Sequence, residues 1–266
     1  MKNLAHLSEI YMTDKRPSEH NYAKYYDLYF SEVKNTPLTL LEIGVLEHPD
    51  RSFGAASLRM WADYFPNAEI HGIDIKDLTH LQQERIRIYI GSQENPERLQ
   101  SILRDNNIYP NIIIDDGSHK IPHQLTSLSA LFRNLSPGGI YVIEDIVQFD
   151  LRRTDKKLVS DVAKFFTDDS AVPMDFTSNT SKDVFQYNTT LAVLMRYCIS
   201  GQIHSDFINP DDSKYLADNI ELCNIHRSEI NNLHIAFISK KNTNAWKPIE
   251  NQEPTIPSTV RGIWIP

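Results

Sequence analysis

Short apolar runs alternate with amphipathic stretches through the middle of the chain. The runs are Leu38–Ile43, Glu69–Ile75, Ile86–Ile90, Asn111–Ile114 and Ile140–Ile143. Between them, apolar positions recur at helical spacing over Phe53–Tyr64, Pro96–Asp105 and Ile121–Asn134. This rhythm predicts βαβ units. The runs are apolar almost throughout, which fits strands covered on both faces of a parallel sheet. The expected fold is therefore α/β, a doubly wound, Rossmann-like sheet.

After Asp150 the pattern loosens. Helices are expected over Lys157–Phe166 and Thr189–Ile199, with a polar loop over 168–186. Two β-like segments, Ile220–His226 and Leu233–Ser239, flank a polar turn through Asn231 and Asn232. They predict an antiparallel pair closing the edge of the mostly parallel sheet. The chain thus divides into a helical lead-in over 1–36, a main domain over 37–240 and a proline-rich tail over 241–266 carrying Trp246 and Trp264. The tail is expected to pack on a partner subunit or cover the site. In the lead-in, Tyr22, Tyr25, Tyr26 and Tyr29 fall at helical spacing, as a packing face does.

In an open parallel sheet, ligands bind at the carboxyl ends of the strands. Gly44 follows the first run and Asp74 closes the second. A glycine there lets the backbone approach a ligand, and a strand-end acid accepts both hydroxyls of a ribose. The GxGxxG fingerprint is missing, which disfavours NAD or FAD and favours a nucleoside without phosphates, such as S-adenosylmethionine. Alone, this pair fits a turn glycine and helix-capping acids equally well. After the fourth and fifth runs come Asp115, Asp116, Gly117, Ser118 and His119, then Glu144 and Asp145. Asp116, Glu144 and Asp145 are hard oxygen donors on neighbouring strand ends and suit Mg²⁺ or a similar divalent ion. The competing reading has the paired aspartates capping a helix and the later acids facing solvent. His119 is placed to act as a general base on an acceptor hydroxyl. His48 and His123 are expected at the surface or behind the site.

Composition narrows the partners. The 266 residues are 41% hydrophobic and 23% charged, enough to build a core without disulfides or structural metal. A net charge of −8 argues against nucleic acid as a partner. The cluster Arg152, Arg153, Lys156 and Lys157 reads as a solvated helix start. Two cysteines, Cys198 and Cys223, without CxxC spacing, point to a reducing compartment and small buried thiols. No run approaches the ~20 apolar residues of a membrane span, and the first residues lack a signal-peptide layout. A cytoplasmic protein without a membrane partner is expected.

The run Asp115-Asp116-Gly117-Ser118-His119, with Leu135-Ser136-Pro137-Gly138-Gly139-Ile140-Tyr141-Val142-Ile143-Glu144-Asp145, resembles the metal-dependent sugar O-methyltransferases of macrolide biosynthesis. These are the mycinamicin and macrocin enzymes, grouped with cephalosporin-hydroxylase-like methyltransferases. Thr13-Asp14-Lys15 and His20-Asn21-Tyr22 are similar to the stretch preceding their catalytic domain, so the resemblance spans roughly residues 10–145. It implies a class I methyltransferase sheet, Mg²⁺ on Asp116, Glu144 and Asp145, and His119 as base. It implies S-adenosylmethionine against Glu42, Gly44, Asp74 and Asp115, with Ser92 and Gln93 near the adenine. It further implies a small carbohydrate substrate, free, glycosylated or nucleotide-linked, and a homo-oligomer. The alternatives are a metal-dependent methyltransferase of catechol-like metabolites, a noncatalytic S-adenosylmethionine-binding scaffold and, more remotely, a nicotinamide oxidoreductase.

Overall fold

The computed structural model describes residues 3–46, 54–146, 189–231 and 233–242. The expected helix over Lys157–Phe166, the basic cluster at 152–157, the loop over 168–186, His48 and the tail beyond Asn242 lie outside the described residues, as do Phe53 and Asn232.

Two helices open the chain, α1 (Leu4–Tyr11) and α2 (Ala23–Phe30). Strand β1 (Leu38–Ile43) leads through α3 (Ala56–Tyr64) to β2 (Ala68–Asp74), and a short 3₁₀ turn (Thr79–Leu81) precedes β3 (Ile86–Ile90). Then come α4 (Pro96–Asp105), β4 (Ile112–Asp115), α5 (Ile121–Leu131) and β5 (Ile140–Ile146). The described chain resumes with α6 (Thr190–Ser200), α7 (Pro210–Asn219), β6 (Ile220–Arg227) and β7 (His234–Lys240). Among the described residues the sheet has seven strands in the order β3-β2-β1-β4-β5-β7-β6. The first five are parallel, and β7 and β6 close the edge antiparallel. This is the doubly wound, mostly parallel sheet with an antiparallel edge that the apolar runs predict. Helix α7 was not anticipated: its periodicity is weak, although Asn209 caps it and Pro210 opens it.

Strand alternation splits the core in two. Leu38, Leu40, Ile112, Ile114 and Val142 face α1, α2 and α3, where Tyr26, Phe30, Trp61 and Phe65 pack edge to face or tilted. Leu41, Ile43, Ile113, Tyr141 and Ile143 face the layer of α4, α5 and α6. The lead-in helices therefore share the first core with the sheet. Leu4, Tyr22, Tyr26 and Phe30 have no exposed surface, and Asp27 receives both the Leu4 amide and the Tyr64 hydroxyl. Cys198 and Cys223 are half-buried free thiols, less enclosed than expected, with the Cys198 thiol donating to the Cys223 carbonyl.

This parity places the site. Glu42 and Glu144 continue the even-numbered face toward the lead-in helices, whereas Asp115 continues the odd-numbered face toward α4 and α5. Asp116 follows on the other side, its amide bonded to the Ile43 carbonyl as a continuation of the β1–β4 ladder. Asp145 falls in a register shift between Ile143 and Ile146, with φ of 51°, and this bulge turns it to the side of Glu144.

Candidate active site

A cleft of about 400 Å³ lies over the strand ends, and Gly44, Asp74, Ser92, Asp116 and His119 line it. A larger groove of about 1170 Å³ follows α7 and the 201–209 connection, and none of the expected site residues lines it. The smaller cleft is the one that expected site residues line.

At one end, Asp74 Oδ2 accepts the Val45 amide at 2.9 Å and Oδ1 accepts the Lys76 amide at 2.8 Å. The strand-end acid thus fixes the turn after β1. Gly44 in that turn has φ of 93°, and a Cβ there would stand 2.0 Å from the Asp116 carbonyl oxygen. Only glycine lets the first and fourth strand ends approach so closely.

Gln93 lines the cleft and also braces the loop after β4, whereas Asp115 does not reach the cleft. Gln93 Nε2 donates to Asp115 Oδ1 at 2.6 Å, and its Oε1 accepts the Ser118 amide at 2.9 Å. Asp115, expected against the cofactor, is turned into the α4–α5 layer, where the Tyr141 hydroxyl donates to it at 3.3 Å. Burial there pushes its carboxyl up to about 7. His123 bonds Ser118 Oγ at 2.6 Å and pairs with Glu94 at 3.1 Å, so it braces the loop at the edge of the cleft.

At the other end the acids gather. Asp116 Oδ1 lies 3.2 Å from His119 Nε2, and Asp145 Oδ2 lies 3.5 Å from His119 Nδ1. His119 has φ of 57°, a conformation that a non-glycine residue adopts only when its surroundings hold it there. Burial opposes the imidazolium, but Asp116 and Asp145 outweigh it and raise the His119 pKa to about 9. Asp116 is driven up by burial and further down by the Lys15 ammonium and His119, and ends below its ordinary value. Burial and the neighbouring Asp116 raise both Glu144 and Asp145.

Asp116, Glu144 and Asp145 do not form one set. Asp116, His119 and Asp145 present donor atoms within 4.8 Å of one another, and so, separately, do Glu42, Asp116 and Glu144. Asp116 is common to both. Hard carboxylate oxygens with an imidazole at the cleft wall are a donor set that suits a divalent cation.

Three lead-in residues escaped the sequence reading. Tyr22 donates to Asp145, Tyr26 donates to Glu144, and Lys15, fully buried, lies 2.5 Å from Asp116 Oδ2. The i,i+4 tyrosine pair was visible as a packing face. The overlooked signal is that a buried phenol needs a partner for its hydroxyl. Lys15 was visible only as part of the Thr13-Asp14-Lys15 landmark.

No protein-family model matches the chain. Among curated proteins it is 42% identical over 144 residues to the mycinamicin VI 2''-O-methyltransferase of Micromonospora griseorubida, covering 54% of this chain and 36% of that protein. It is 40% identical over 146 residues to the demethylmacrocin O-methyltransferase of Streptomyces fradiae, with the same two coverages. Among solved structures, the MycE methyltransferase of the mycinamycin pathway, in complex with Mg, SAH and mycinamycin VI, matches with a TM-score of 0.65. That match has 30% identity and covers 93% of this chain and 57% of that one. The resemblance read from the Asp115–His119 and Ile143–Asp145 elements is borne out, and so is the fold. The chain spans about a third of the length of these curated relatives (36%).

Proposed function

We propose that this chain carries an S-adenosylmethionine-dependent O-methyl-transfer site, assisted by Mg²⁺ or a similar ion, acting on a hydroxyl of a sugar or of a glycosylated or nucleotide-linked metabolite. One observation carries the reading. A cleft with a ribose-type acid, Asp74, at one end has at its other end an imidazole, His119, held by two acids whose oxygens suit a cation. The relatives named above are O-methyltransferases, another is an O-methyltransferase of a rhamnosyl tetracenomycin, and the solved one is in complex with Mg and SAH.

Asp74 and the close turn at Gly44 would bind the nucleoside, with Ser92 beside the base. Glu42 stands behind this wall as a buried charge. Asp116 and Asp145 would hold the ion from the open side, with Glu144 behind Asp116. When bound, S-adenosylmethionine supplies an activated methyl group, and the divalent ion lowers the acceptor hydroxyl's pKa and spends the acid charge that keeps His119 protonated. His119 would take the acceptor hydroxyl's proton, and the methyl group would pass from the sulfonium sulfur, which keeps the electron pair, to that oxygen. Holding both reactants in one cleft contributes through orientation.

The test is a methyl-transfer assay with nucleotide-linked sugars and with catechols. Sugar acceptors are expected to be methylated only with a divalent ion present. His119→Ala is expected to keep S-adenosylmethionine binding while losing about 10²–10⁴-fold in turnover, the usual worth of a positioned base. Undiminished turnover after exhaustive chelation removes the metal from the proposal. Transfer to catechols alone replaces the acceptor class, and cofactor binding without transfer to any acceptor favours a scaffold. The homo-oligomer implied by the resemblance is tested by sedimentation of the full chain.

A further inference from the structure

Lys15 is a fully buried cation on the sheet side of the acid cluster. Its Nζ lies 2.5 Å from Asp116 Oδ2, 3.1 Å from Glu144 Oε1 and 3.7 Å from Glu42 Oε1. Those three acids are one of the two groups whose donor atoms lie within 4.8 Å of one another. The other group, Asp116, His119 and Asp145, uses the opposite oxygen of Asp116. Asp116 therefore stands between two cation positions, an inner one facing the lead-in and an outer one facing the cleft.

A second observation concerns Glu42. Its carboxylate oxygens make no well-formed hydrogen bond, with only the Ser57 hydroxyl and the Trp61 indole close enough to ease the burial, and the side chain has no exposed surface. Such an anion is strongly unfavourable unless a positive charge stands close by. The nearest is Lys15, at ion-pair but not hydrogen-bond distance. A compact ammonium with three donors suits a pocket of three acids better than a planar guanidinium. The backbone keeps it there: the Lys15 carbonyl accepts the Ala23 amide at the start of α2, at 2.9 Å.

We propose that Lys15 is a resident cation, filling the inner position among Glu42, Asp116 and Glu144, so that the outer position beside His119 and Asp145 is the one left for a divalent ion. Lys15 is thus a positioning residue. It compensates the buried acids without metal and fixes the side chain shared by both positions. The proposal rests on the reading that Asp116 and Asp145 hold a divalent ion, and the experiment separates the two.

Mn²⁺ binding to the full chain without S-adenosylmethionine is counted by electron paramagnetic resonance, beside thermal unfolding in chelator. Wild type is expected to bind one ion. Lys15→Met is expected to bind a second ion in the opened inner position, to unfold at lower temperature in chelator and to regain more stability from Mn²⁺ than wild type does. A single ion on Lys15→Met, or wild-type unfolding in chelator, overturns the proposal. If Lys15→Met does not fold, adding Glu42→Gln removes one uncompensated charge. Recovered folding then supports the proposal, and no recovery overturns it. Failure of wild type to bind Mn²⁺ at all counts instead against the metal reading, while the chelator unfolding still judges Lys15.

Discussion

Tyr22 donates its phenolic hydroxyl to Asp145 Oδ1 at 2.8 Å, across 123 positions of sequence. One turn further along α2, Tyr26 does the same for Glu144. Burial, followed by the charge of the acids, raises both phenols above their ordinary value, so both remain proton donors. Helix α2 is therefore the element that orients the acids of β5. Tyr22→Phe keeps the ring packing and leaves Asp145 one bond short, a loss of about 1–3 kcal/mol for a buried charged acceptor. Affinity for Mn²⁺ is expected to fall about tenfold, while S-adenosylmethionine binding, proposed for the Asp74 end, stays within about twofold. Titration calorimetry with each ligand separates the two. Equal loss of both affinities would mean that the variant had disturbed the fold.

Gly44 tests the opposite wall. A Cβ there meets the Asp116 carbonyl oxygen at 2.0 Å, in a backbone conformation of φ 93°. Both atoms in the collision are backbone-bound, so relief requires β1 and β4 to separate at their ends. Gly44→Ala is expected to lower stability by more than the roughly 1–3 kcal/mol that left-handed backbone costs alone, and to abolish transfer. Gly201 supplies the control. It has φ of 70° and nothing within 4 Å of an added Cβ, so Gly201→Ala shows the backbone cost without a clash. Urea unfolding of both variants measures the difference.

Much of this was legible in the sequence. The strand runs and most of the helices fall within a few residues of expectation because continuous apolar runs in a parallel sheet allow few other readings. The acids could be found because the loop ends of those runs must lie at one rim. Their sorting was harder. Asp115 and Asp116 are neighbours, yet pleat parity sends one to Gln93 and Tyr141 and the other to Lys15 and His119. Counting parity from Ile113 and Ile114 predicts Asp115, whereas Asp145 defies the count because a bulge turns it. No local pattern announces a bulge between Ile143 and Ile146. Lys15 and the tyrosines were missed for another reason. Their role is a contact made across more than 100 positions, to which local periodicity is blind.

Lys240 shows how the antiparallel edge is tied to the helical layer. Its ammonium donates to the carbonyls of Phe132 at 3.0 Å, Arg133 at 3.0 Å and Leu135 at 2.7 Å, beyond the end of α5. Carbonyls at a helix end have no partner within the helix, and a cation there also suits the dipole. Lys240→Met keeps the aliphatic stem but strips three charge-assisted bonds from a side chain only 7% exposed. Stability is expected to fall by about 2–3 kcal/mol, given the cost of buried acceptors left unpaired. S-adenosylmethionine affinity should not change. Urea unfolding measures the first, and calorimetry on the folded variant the second.

His71, His226 and His234 contribute one sign of the dependence of stability on pH. Burial, the first cause for each, lowers their pKa below the ordinary histidine value, so all three are neutral in the fold. Unfolding frees them to titrate near about 6.5. The unfolded chain then binds more protons below that pH, and stability falls as pH drops from about 6.5 toward the folded pKa values. Each contributes at most about 1.4 kcal/mol per pH unit. Glu42 and Asp115, pushed up to about 7 by burial, act in the opposite direction over the same range, because their protons are held by the fold. The total slope therefore mixes two signs, and a difference between variants isolates one group. His71 stacks on Tyr89, with ring centroids 5.9 Å apart, and touches its hydroxyl at 3.3 Å. His71→Phe keeps the stack and cannot take up a proton. Measured by urea unfolding from pH 5 to 7.5, it should gain stability relative to wild type as the pH falls, with the gap constant above about pH 7. A gap of the same size at every pH would show that the His71 ring carries no unfolding-linked proton and that its burial costs nothing in acid.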